Sequence, residues 1–82
     1  MKDRIHALLD LCLRAKEKGH DCFFEYSAHV DAITVRTYAG GWVKDADPDY
    51  RMTAYLNDGT WSEDEISTKF DKAVAYLKEL IG

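Results

Sequence analysis

Hydrophobic periodicity switches twice along this chain: a helical period at each end encloses three segments of period two, an order that few small folds satisfy. From Asp3, read as the first helix's cap, the apolar positions Ile5, Leu8, Leu9, Cys12, Leu13 and Ala15 recur at helical spacing as far as Gly19. Lys16 and Lys18 suit the negative end of that helix, and a glycine just past it supplies the left-handed stop. Asp10 stands four positions before Arg14, the spacing of a surface ion pair.

The middle of the chain alternates. Cys22, Phe24 and Tyr26 oppose Phe23, Glu25 and Ser27, which predicts a half-buried strand. A short turn through Ala28, His29, Val30 and Asp31 leads to a second, β-branched strand from Ala32 to Tyr38, with Ile33, Val35 and Thr37 on one side and Thr34, Arg36 and Tyr38 on the other. Gly40-Gly41 interrupts it before Trp42, and Lys44-Asp45-Ala46-Asp47-Pro48-Asp49 is a polar loop. Tyr50, Met52, Ala54 and Leu56 form the apolar side of a third strand, opposite Arg51, Thr53 and Tyr55, and Asn57-Asp58-Gly59 signals a turn. The last helix is written most clearly. Ser62 and Glu65 make a capping box, Trp61 and Ile66 take the two staple positions, and Glu63 and Asp64 suit the positive helix end. Ile66, Phe70, Ala73, Val74, Leu77 and Ile81 then mark one face, and Glu65 with Lys69 has ion-pair spacing.

The expected fold is therefore a single two-layer α+β domain over residues 1–82, ordered α-β-β-β-α, with a three-stranded antiparallel meander and both helices on its apolar face. Eighty-two residues hold no second core. The N-terminus runs straight into an amphipathic pattern, so neither a signal peptide nor a spanning helix is expected, and a cytoplasmic setting is the default. Cys12 and Cys22 read as reduced, small hydrophobes rather than a disulfide.

Charge narrows the functional classes. The net charge is −4, and residues 21–68 carry ten acidic against three basic groups. A chain so biased lacks the basic footprint from which nucleic-acid affinity is built. Helix-strand-strand-strand-helix is also the order of the double-stranded RNA-binding domain, which holds phosphates with a lysine-rich start to its last helix. Here that place reads Ser62-Glu63-Asp64-Glu65, which repels them.

Chemistry-bearing motifs are sparse. Asp45, Asp47 and Asp49 echo the opening of a calcium loop, but Tyr50 stands where glycine is needed and Leu56 where a bidentate carboxylate is needed. His20 and Cys22 lack a second pair at zinc spacing. Ser27, His29 and Asp31 are polar turn residues rather than a triad, whose members come from separate elements. A Cys12 thiolate paired with His6 or His20 is disfavoured because Cys12 lies on the core side of its helix. No catalytic residue, metal site or cofactor is expected.

What remains is surface. The outer sheet side gathers Phe23, Glu25, Thr34, Arg36, Tyr38, Arg51, Thr53 and Tyr55, rich in the aromatic and arginine side chains that anchor protein interfaces. It is either a solvated face stabilised by cross-strand pairs or a binding face for a protein partner. On the second reading Phe23, Arg36, Tyr38, Trp42, Arg51 and Tyr55 form the contact set, and replacing Tyr38 and Tyr55 together leaves the fold intact while abolishing binding. Trp42 either covers the sheet end or protrudes as an anchor. The loop Asp45, Asp47 and Asp49 suits a basic partner, as in an acidic inhibitor that displaces nucleic acid. Two open sheet edges also allow a homodimer or a self-assembling component.

The run Ile33-Thr34-Val35-Arg36-Thr37-Tyr38-Ala39-Gly40-Gly41-Trp42 is one of four stretches with a shared likeness. With Pro48-Asp49-Tyr50, Tyr55-Leu56-Asn57-Asp58 and Ala73-Val74-Ala75-Tyr76-Leu77-Lys78-Glu79-Leu80, it resembles short phage and prophage proteins of unknown function. The resemblance implies no activity and transfers no site residue. It implies a context, in which such a chain binds and redirects a host or phage protein.

Overall fold

A computed structural model describes residues 2–56 and 61–82, and the expected Asn57-Asp58-Gly59 turn lies outside the described residues. Helix α1 (Lys2–Glu17) is followed by strands β1 (Asp21–Ser27), β2 (Ala32–Tyr38) and β3 (Tyr50–Tyr55), and helix α2 (Glu63–Ile81) closes the chain. The strands form one antiparallel sheet in the order β1-β2-β3, with β2 central. Both outer strands are sheet edges.

Register puts the two sheet sides where alternation requires. Cys22 pairs with Thr37, which pairs with Tyr50; Phe24, Val35 and Met52 form the next row, and Tyr26, Ile33 and Ala54 the third. This inner side meets both helices, α1 over β1 and α2 over β3, with the helices touching each other. A shortest dimension of 16 Å leaves room for two layers and no more. Leu8, Ile33, Val35, Phe70 and Leu77 are fully enclosed at its centre.

α1 buries Leu8, Leu11, Cys12 and Ala15, an i, i+3, i+4, i+7 stripe. The face is rotated from the expected one: Leu11 belongs to it, whereas Leu9 is 38% and Leu13 62% exposed. Asp3 lies in the first turn instead of capping it. The other end closes as a Schellman motif, with the His20 N–H donating to the Ala15 carbonyl, the Gly19 N–H to that of Lys16, and Gly19 at φ 90°.

In α2 both arms of the capping box form, the Ser62 side chain accepting from the Glu65 N–H and the Glu65 carboxylate accepting from the Ser62 N–H. Ile66, Phe70, Ala73 and Leu77 are buried, with Trp61, Val74 and Ile81 packed around them. Glu65 is spent on the cap, and Lys69 lies 5.1 Å from the Trp61 ring centre, so the expected Glu65–Lys69 pair is replaced by a cation–π contact. Arg4 joins the helices, donating to Ser67 Oγ at 2.7 Å and pairing with Asp71.

Candidate interaction face and its flanking loop

With both helices on the inner side, no helix among the described residues covers the outer one. Its rows are Asp21–Tyr38, Phe23–Arg36–Arg51, Glu25–Thr34–Thr53 and Ser27–Ala32–Tyr55. The central row sets two arginines directly opposite each other on neighbouring strands, an arrangement that repels unless each charge is answered. Arg36 is answered: it donates to Glu25 Oε1 at 2.6 Å, and its guanidinium lies 5.1 Å from the Phe23 ring centre. Its Nε is buried without a hydrogen-bond partner. Arg51 is exposed, and among the described residues no carboxylate lies within ion-pair reach of it. Thr34 and Thr53 share a hydrogen bond across the adjacent row at 3.3 Å.

The aromatics divide. Phe23 and Tyr55 are 37% and 36% exposed, and Tyr55 meets Trp61 edge to face at 5.6 Å. Tyr38 is only 6% exposed and packs edge-on against Phe23 at 5.5 Å. It is therefore a support beneath the face rather than a contact residue, which corrects its place in the expected set. The physical reason is its position at the end of the central strand, where it pairs with β1, its ring meets that of Phe23, and the loop that follows turns back to its carbonyl.

That loop, residues 39–49, is tied down by side chains reading its backbone. His20 Nδ1 accepts from the Gly40 N–H at 2.9 Å, Asp21 Oδ2 from the Trp42 N–H at 2.7 Å, and Asp49 Oδ2 from the Ala39 N–H at 2.8 Å. The Asp49 N–H in turn donates to the Thr37 carbonyl. Gly41, between two of these anchors, sits at φ 109°, a conformation side chains resist. Asp21 also accepts from Lys16 Nζ at 3.2 Å, and the Trp42 N–H with this ammonium holds its carboxyl below the usual range. Trp42 emerges half exposed and Val43 65% exposed, so both project from a fixed base.

The acidic triplet does not act as a unit. Asp49 is engaged in closing the loop, leaving Asp45, held at φ 66°, and Asp47 as its exposed pair. Among the described residues no three His, Cys, Asp or Glu side chains gather as a metal ion requires. Ser27, His29 and Asp31 fall at the β1–β2 turn, where Asp31 accepts the Tyr26 phenol at 2.6 Å and raises its pKa, holding the proton rather than mobilising it. That pair lines a groove of about 470 Å³ with Lys2, Ile5, Leu56, Glu63 and Ile66. None of the described helices is long and apolar enough to cross a membrane.

Sequence reading missed three features: the rotation of α1 that exposes Leu9 and Leu13, the Arg4 link between helices, and the anchoring of the Trp42 loop by His20 and Asp21. The last left a signal in the sequence, an acceptor pair immediately after a helix stop and a Gly40-Gly41-Trp42 run whose Gly40 and Trp42 N–H groups need acceptors.

No protein-family model, curated protein or solved structure matches this chain.

Proposed function

We propose that this chain is a small non-enzymatic module that binds a protein partner through the outer face of its sheet, with Trp42 as a flanking anchor. The observation that carries this reading is the Phe23–Arg36–Arg51 row, in which exposed aromatic surface adjoins the Arg51 guanidinium, which among the described residues has no carboxylate within ion-pair reach. Aromatic and arginine side chains concentrate binding energy because they bring large rigid area and directed hydrogen bonds together. A partner segment offering a carboxylate to Arg51 and apolar area to Phe23 and Tyr55 answers both needs. The setting is cytoplasmic, and the likeness to short phage and prophage proteins makes a host or phage protein the natural target.

The acidic-inhibitor reading keeps one observation in its favour, the exposed Asp45 and Asp47 beside Trp42 and Val43. The two readings separate by salt. Partner retained by the tagged, nuclease-treated protein through a wash at about 1 M salt, where screening acts within about 3 Å, supports the aromatic face; partner released between about 0.15 and 1 M supports the acidic loop. A self-assembling component, pairing through a free edge of β1 or β3, gives instead a homo-oligomer with no other chain.

A further inference from the structure

The two edges of the sheet have different flanks. Beside β3 runs a stripe of α2 made by Lys69, Lys72 and Tyr76, at three- and four-residue spacing. Tyr76 stacks on Tyr50 at 4.6 Å at one end of the strand, and Lys69 lies over Trp61, whose ring meets that of Tyr55 at the other. Lysines beside an edge discourage a second chain from adding to it. β3 is also anchored inward, burying Met52 and Ala54.

Among the described residues β1 lacks such a guard. It pairs with β2 through all seven of its residues without a bulge, contains no lysine, arginine or proline, and buries none of its side chains fully. The α1 flank beside it is apolar at its middle. Arg4 marks the flank turned to α2, where it bonds Ser67. On the opposite flank Ile5 lines a groove with Tyr26, Lys16 is engaged by Asp21, and Leu9, between them, is 38% exposed. Tyr26 itself is 55% exposed.

Charge selects what can add to this edge. Two copies joined through an antiparallel β1 pair by a two-fold axis keep their helices on the same side of the sheet, so the axis passes through a residue and not between two. Asp21 and Glu25 are the charged residues of the strand. An axis at Phe23 sets Asp21 against Glu25, and one at Glu25 sets Glu25 against itself, arrangements that repel. An axis at Phe24 avoids both and engages the whole strand: Asp21 faces Ser27, Cys22 faces Tyr26, Phe23 faces Glu25, and Phe24 faces Phe24. Over its full length, β1 is complementary to itself in that one register.

We propose that this chain forms a two-fold homodimer by antiparallel pairing of β1 with β1 about Phe24, joining the two sheets into one with all helices on one side. The pairing satisfies the backbone groups of the free edge, covers Phe24 and Tyr26, and brings the Leu9 flanks of the two α1 helices beside each other. The outer side of the joined sheet stays open and carries two Phe23–Arg36–Arg51 rows, so partner binding and self-pairing do not compete.

The test is sedimentation velocity of the full-length reduced protein over a concentration series, with hydrogen exchange read by mass spectrometry at the same concentrations. A mass of twice 9.4 kDa is expected at about 0.1 mM, falling on dilution. The β1 amides are expected to slow as the dimer forms, while those of β3 are unchanged. Ser27→Asp sets a carboxylate against Asp21 on both sides of the axis and is expected to weaken association at least about threefold, whereas Ser27→Lys, in the same place, is expected not to weaken it. A mass of 9.4 kDa at every concentration up to about 1 mM overturns the proposal. So does a dimer whose added protection falls on β3, or one that Ser27→Asp and Ser27→Lys affect alike.

Discussion

The Asp21 carboxylate, first residue of β1, accepts the backbone N–H of Trp42 at 2.7 Å, fixing the loop after β2 to the junction that follows α1. An exposed tryptophan on a loose loop loses conformational freedom on binding; one whose backbone is already held loses less. The same carboxylate accepts from Lys16, so one side chain joins helix, strand and loop.

This anchor has a pH signature. The folded state lowers the Asp21 pKa below its ordinary 3.8, so the stabilisation is fully present above that value and is lost as the pH falls through the lower folded value. Trp42 fluorescence, read in a Trp61→Phe background, is expected to change below about pH 4, and Asp21→Asn is expected to remove that component. An acid transition of equal amplitude in both proteins contradicts the anchor.

Tyr38 and Arg51 share the outer side of the sheet and differ in burial. Tyr38→Ala removes an enclosed ring and is expected to cost about 3 kcal/mol in chemical denaturation, whereas Arg51→Ala is expected to change stability by less than about 0.5 kcal/mol. Equal costs would contradict the division of this face into an enclosed support and an exposed contact.

The α2 cap is local and should behave so. Ser62→Ala is expected to cost about 1 kcal/mol, since it leaves the Glu65 N–H without its acceptor, and Ser62→Asp to restore most of that loss. Thermal unfolding of the three proteins checks the order.

The legible parts of the fold were those specified locally. Alternation from Cys22 to Tyr26 and from Ile33 to Thr37 fixes which side of each strand faces the helices, because a one-residue slip exposes every apolar group at once. Ser62 and Glu65 are three residues apart, and their reciprocal bonds need nothing from the rest of the chain. The rotation of α1 was not legible: Leu8, Leu9, Leu11, Cys12 and Leu13 allow more than one apolar stripe, and the choice is made by packing against β1 and α2. Arg4 and Ser67 lie 63 positions apart, and no spacing rule reaches that far. Of the contact set, Phe23, Arg36, Arg51 and Tyr55 could be placed on one face by counting, yet counting cannot tell that Tyr38, on the same face, is roofed over. For Asp49 the sequence shows a charge in an acidic run; only the returning loop shows that the charge is spent on the Ala39 N–H.

The helix surface at Leu9 and Leu13 serves as a control, since these exposed residues lie on α1, in the layer packed against the opposite side of the sheet. Leu13→Lys is expected to leave partner capture unchanged and stability within about 0.5 kcal/mol of wild type.

The most direct test of the binding face is quantitative mass spectrometry of the proteins captured from lysate by the tagged wild type and by a Phe23→Ala, Arg51→Glu, Tyr55→Ala triple variant, each confirmed folded by circular dichroism. One stoichiometric partner is expected with the wild type, reduced at least about tenfold with the triple variant through loss of central anchors, and retained with Leu13→Lys. Equal capture of that partner by the triple variant would contradict the binding face.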